Sequence, residues 1–93
     1  MPKAKASPGP PAAQRQYRCR DGWLALACRD ETHWKALTRC LGRPELAYPY
    51  AWEAALRAPP EGALAQLMES IFIDEPVAVW VQRLQAHGVP CDP

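Results

Sequence analysis

A mostly helical α+β fold follows from three features of this 93-residue sequence. Asp21-Gly22 separates an alternating run, Tyr17 to Arg20, from an apolar one, Trp23 to Cys28, which is the pattern of a β-hairpin. Downstream, four stretches space their apolar residues three and four apart, as helices with one buried face do. The length allows one domain. The predicted order is an N-terminal hairpin followed by about four helices, all within residues 16–93.

Residues 1–15 read as a flexible, basic linker. Pro2, Pro8, Pro10 and Pro11 stand there with Gly9, Ser7 and several Ala, a composition that supplies no packed face. In the hairpin, Asp21 and Gly22 are expected as the two central residues of a type I′ turn, which needs positive φ at both. Tyr17 and Cys19 then share one face and Arg18 and Arg20 the other. The second strand is apolar on both faces, so it belongs inside a small sheet or against helices.

Asp30 is a good N-cap, and Glu31 suits a first turn where the helix dipole favours negative charge. Trp34, Leu37 and Leu41 form the stripe of that first helix, with Gly42 and Pro44 at its end. A short, irregular helical stretch follows, with Pro49 as its first residue, Trp52, Ala55 and Leu56 as a partial stripe, and Pro59-Pro60 as the stop. Residues 61–72 give the widest stripe: Leu64, Leu67, Met68, Ile71 and Phe72. The last helix opens near Asp74-Glu75-Pro76. It carries Val77, Trp80, Val81 and Leu84, and ends at Gly88 before Pro90.

Charge divides the chain. Residues 1–20 carry five bases and no acid, whereas residues 21–93 carry six bases and ten acids, for a net +1. A basic arm on a mildly acidic body suits a nucleic-acid tail, but five charges over twenty residues leave a weak electrostatic footprint and favour a solvated linker. No run approaches the roughly 18 apolar residues that span a bilayer. Pro-rich sequence follows Lys3 and Lys5 where a signal peptide needs an apolar run. The expectation is a soluble, untargeted cytoplasmic protein with no membrane partner.

The residues alone disclose no reaction. Cys19, Cys28, Cys40 and Cys91 contain no C-x-x-C pair, and nothing points to the secreted context of a disulfide framework. A zinc set of Cys28, His33, His87 and Cys91 has none of the usual ligand spacings, so no metal site is expected. The acids divide between turn, cap and solvated positions, serine is nearly absent, and the glycines are isolated. No catalytic residue is assigned. Trp23, beside Arg18 and Arg20, is the one aromatic with a binding role in view, since an exposed indole flanked by guanidinium groups can stack on a purine.

The ordered set of joints resembles the small domain of class III coenzyme A transferases, the carnitine dehydratase/bile-acid-inducible (CaiB/BaiF) type. The run Tyr17-Arg18-Cys19-Arg20-Asp21-Gly22 resembles that family's Y-x-T-x-D-G hairpin. Trp34 and Leu37 follow at the family's spacing, and Leu41-Gly42-Arg43-Pro44-Glu45-Leu46 matches L-G-x-P-E-L. Pro49 and Arg57 fit D-P-R-F and the Arg beyond it. Phe72, Trp80, Leu84, Gly88, Val89, Pro90, Cys91 and Pro93 fit the closing pattern. Tyr48 and Ala51 depart from the Asp and Phe of D-P-R-F, and Pro76 from the usual Thr cap.

The resemblance implies a module inserted in a larger Rossmann-type domain of an intertwined homodimer that moves coenzyme A between carboxylic acids. It also implies that the reacting Asp lies in the large domain, since no residue here matches it. The expectation is therefore a stand-alone or truncated small domain that helps form the acyl-CoA cleft and the dimer interface and is inactive alone. Coenzyme A is its expected ligand, with no covalent cofactor, and its expected partner is a transferase large domain or a second copy through an exposed apolar face. Two alternatives stand beside it: a non-catalytic module that binds coenzyme A or protein, and a small nucleic-acid binder that uses the basic arm.

Overall fold

The structure is a computed structural model that describes residues 10–93. Strands β1 (Gln16–Cys19) and β2 (Gly22–Leu26) form the expected hairpin, followed by helices α1 (Glu31–Cys40), α2 (Ala51–Arg57), α3 (Ala63–Phe72) and α4 (Val77–Ala86). A two-residue strand that the sequence pattern did not announce, β3 (Cys91–Asp92), returns beside β2. The sheet runs β1-β2-β3, antiparallel throughout, so the apolar β2 is the central strand.

Alternation sorts the hairpin as the sequence implies. Tyr17, Cys19, Leu24 and Leu26 point inward and are buried, while Gln16, Arg18 and Trp23 face out. Helix α3 packs under β1, and α4 under β2 and β3. Between the layers lies an aromatic stack. Phe72 sits 4.9 Å from the Tyr17 ring, nearly parallel to it, and 5.0 Å from Trp80, edge to face. Trp80 also donates its indole N–H to the Phe72 carbonyl at 3.0 Å. The buried line on α3 is Ala65, Met68 and Phe72, with Leu64 and Ile71 flanking it. Trp34 of α1 is buried and donates to the Leu46 carbonyl at 3.0 Å, which fastens a 3-10 turn at Pro44–Leu46.

Three local expectations are corrected. The hairpin turn is Arg20-Asp21, not Asp21-Gly22, because Cys19 pairs with Gly22 and Arg18 with Trp23. Neither turn residue has positive φ, so the turn is not type I′. The physical reason is a long-range demand on Asp21. Its carboxylate accepts the N–H of Val77 at 2.9 Å and so caps α4, whose own N-cap, Pro76, has no side-chain bond to offer. Arg20 is held at the same place, its N–H on the Glu75 carbonyl at 3.0 Å and its guanidinium on the Asp74 carbonyl.

Pro49 does not open α2. Its N-cap is Tyr50, a non-glycine residue at φ 67°, which for an aromatic residue is a strained position.

The linker expected over residues 1–15 is also too long. Residues 1–9 lie outside the described residues, but Ala12–Gln14 form a 3-10 turn in which Ala12 and Ala13 are fully buried. Alanines are small enough to seat backbone against backbone there. Ala12 donates to the Ala58 carbonyl at 3.0 Å, Cys28 donates to the Ala13 carbonyl at 3.1 Å, and the Tyr17 hydroxyl donates to the Ala12 carbonyl at 2.5 Å.

Asp21→Ala removes the side-chain cap of α4 and is expected to cost about 1 kcal/mol of stability, with Asp21→Asn, which keeps an acceptor, costing clearly less. Urea denaturation of the two variants measures this. Equal losses would mean that the bond to Val77 carries no stability.

Candidate functional site

The outer face of the hairpin brings two of the three candidate residues together. Arg18 and Trp23 are directly opposed across the strands, and the guanidinium carbon of Arg18 lies 5.6 Å from the indole ring centre. Cross-strand neighbours on a pleated sheet meet in this way. Trp23 is 52% exposed, unlike Trp34 and Trp80, which are buried, so it is the indole with a face open to a ligand. Arg20 does not join them. Its bonds to Asp74 and Glu75 commit it to the loop before α4.

Around the corner of the same hairpin lies an open groove of about 570 Å³. Its floor is the solvent side of α4, Val77, Ala78 and Val81 with Gln82 and Gln85, and its ends are Asp21 and Pro93. The helical period that buries Trp80 and Leu84 leaves Ala78, Gln82 and Gln85 exposed, while Val77 and Val81 are half-buried against the edge of the core. A further aromatic surface went unread in the sequence: Tyr48 and Tyr50 are 52% and 80% exposed on either side of Pro49. The only local signal for it is the Tyr-Pro-Tyr run itself.

The chemistry within reach is that of binding. Burial pushes all four cysteine thiols above their ordinary range, Cys28 up to about 12, with Asp30 and Cys91 adding to the effect. These thiols are protonated at neutral pH and are not nucleophiles. Burial likewise pushes the Tyr17 hydroxyl up to about 12, against the lowering influence of Arg15. Among the described residues no Asp or Glu is buried, and Glu69 and Glu75 pair with Arg15 and Arg83.

His33 and His87 sit at the ends of different helices. The ring of His33 accepts the Arg29 N–H, and that of His87 lies 2.9 Å from the Arg83 carbonyl. Among the described residues no three His, Cys, Asp or Glu side chains are grouped to hold a metal ion, and no helix is long and apolar enough to cross a membrane.

Comparison with known proteins gives this geometry a context. The family model for CoA-transferase family III matches residues 2–93. The chain is 36% identical over 61 residues to a formyl-CoA:oxalate CoA-transferase of Streptomyces coelicolor, covering 64% of this chain and 15% of that protein. It is 29% identical over 92 residues to a probable fatty acyl-CoA transferase, Rv3272, of Mycobacterium tuberculosis, covering 95% of this chain and 23% of that one. The crystal structure of Rv3272 in its orthorhombic form superposes with a TM-score of 0.65 over 88% of this chain, at 23% identity, again spanning 23% of the larger molecule. The chain thus spans less than a quarter of the length of the relatives it matches.

Proposed function

Since the chain belongs to CoA-transferase family III, we propose that it is the small module of such a transferase, contributing walls to an acyl-CoA cleft and a surface to the subunit interface while a large domain supplies the reacting carboxylate. The observation that carries this reading is the contrast between surface and chemistry. The described residues offer an open apolar groove and exposed aromatic residues, and no buried carboxylate or activated thiol beside them. Exposed apolar area of this kind marks a docking or ligand surface. In this reading the partner is a transferase large domain or a second copy, and the setting is the cytoplasm.

On the same reading coenzyme A is the ligand, and the residues that suit it are Trp23 and Arg18. An indole face stacks on a purine, and a guanidinium beside it offers charge to a phosphate. Arg20 adds positive charge at the hairpin tip. The role of these side chains is to bind and orient. Acyl transfer itself needs a nucleophile that these residues do not provide.

Two measurements test the proposal. The purified chain incubated with an acyl-CoA donor and a carboxylate acceptor is expected to give no transfer; turnover would overturn the non-catalytic assignment. Free coenzyme A titrated to about 1 mM, the weak end of specific affinity, is expected to quench tryptophan emission in the wild-type chain and not in Trp23→Phe. Quenching that survives in Trp23→Phe, or no quenching at all, removes the hairpin face from the site.

A further inference from the structure

Cross-strand pairing lays out the outer face of the sheet in two rows. Arg18 stands opposite Trp23, and in the next row Gln16, Ala25 and Asp92 lie side by side across β1, β2 and β3. Partners in a row share a face. Ala25, two positions along β2 from Trp23, carries only a methyl group, so the floor beside the indole is flat. Arg18 covers one side of that indole, and the exposure of Trp23 leaves the rest of the ring to a planar ligand.

Charge on this face is sparse. Of the five residues Arg18 is the one cation, and among the described residues it has no carboxylate partner, so its guanidinium can meet a phosphate. Arg20 is committed to the Asp74 and Glu75 carbonyls, and Arg15 to Glu69. Asp92 is an acid and repels any phosphate on the β3 side. A ligand is therefore read here by one stacking surface and one positive charge. Coenzyme A offers a partner for each in its nucleotide half, an adenine and a diphosphate. Its pantetheine arm is uncharged, and its ribose phosphate calls for a second cation that neither row holds. A plain purine nucleoside diphosphate carries the same two features.

We infer that the hairpin face is a purine-nucleotide site with no selectivity for coenzyme A, so that nucleoside diphosphates bind it equally well and compete with coenzyme A there. The inference rests on the placement of coenzyme A at Trp23 and Arg18 and adds the class of ligand that displaces it. Discrimination between two ligands is the difference between the contacts each makes. No side chain of the two rows is matched to the groups by which coenzyme A and ADP differ, so that difference is small.

Tryptophan emission tests this, with ADP, coenzyme A and pantetheine each titrated into the unaltered chain to about 1 mM. ADP is expected to quench with a midpoint within about threefold of that for coenzyme A, and pantetheine, which has no nucleotide, is expected not to quench. Arg18→Gln is expected to weaken both nucleotides by a common factor of about ten, and Trp23→Phe to remove both responses. Quenching by one nucleotide alone overturns the inference: by coenzyme A alone it leaves the transferase reading standing, and by ADP alone it takes coenzyme A off this face. Quenching by neither overturns both. The comparison within the unaltered chain decides, whatever the variants do to folding.

Discussion

Phe72→Ala is expected to remove about 3–5 kcal/mol of stability, enough to leave much of a domain with a total of about 5–15 kcal/mol unfolded. Phe72 is fully buried and is the one ring in contact with both Tyr17 of β1 and Trp80 of α4. Truncation leaves a cavity between two aromatic rings that cannot close in, because each is anchored elsewhere. The Tyr17 hydroxyl is bonded to Ala12, and the Trp80 indole to the backbone of residue 72. Loss of the ring therefore loosens sheet, α3 and α4 together. Phe72→Leu keeps most of the volume and should cost about 1–2 kcal/mol. Far-ultraviolet circular dichroism in urea distinguishes them. A midpoint for Phe72→Ala equal to that of the unaltered chain would show that the stack is not the core of the fold.

The sequence exposes this core because large apolar residues at helical spacing have only one place to go. Phe72, Trp80, Leu84 and Trp34 are buried where periodicity puts them. What it hides are features set by distant partners. Asp-Gly is a strong local turn signal, but Asp21 is needed 56 residues away at the start of α4, and the turn moves back by one residue to deliver it. Ala12 and Ala13 look like linker because alanine has no stripe to show, yet small size is what lets their backbone bond to Ala58 and Cys28. Strand β3 is two residues long between prolines and has no pattern of its own; it exists because β2 offers an edge. That Arg18 and Trp23 share the outer face is legible from alternation; that they oppose each other is not, because a turn at Asp21-Gly22 would set Trp23 against Arg20. Arg20 was not separable from them until the loop before α4 was in place.

Raising the pH above 9 should destabilise the chain steadily through two buried groups, Cys28 and Tyr17. Burial holds the thiol of Cys28 and the hydroxyl of Tyr17 protonated up to about 12, while their ordinary values, 9.0 and 10.0, apply once the chain unfolds. Both groups are neutral when protonated, so below pH 9 they favour neither state through ionisation. Above their ordinary values the unfolded chain gives up protons that the folded chain keeps, and stability falls until the folded values are reached. The window is therefore pH 9 to 12 for Cys28 and pH 10 to 12 for Tyr17. Over these windows the loss is about 4 kcal/mol for Cys28 and about 3 kcal/mol for Tyr17. Between pH 8 and pH 11 the unfolding free energy should drop by about 4 kcal/mol from these two groups, and the raised thiols of Cys19, Cys40 and Cys91 act in the same direction. Cys28→Ala starts about 1 kcal/mol less stable at pH 8, but its stability should fall with a shallower slope above pH 9, because the largest contributor is gone. Urea midpoints for both chains at pH 8, 9, 10 and 11 separate the slopes. Parallel curves would mean that Cys28 ionises as readily in the folded chain as in the unfolded one, and that its seat beneath the sheet is not dry.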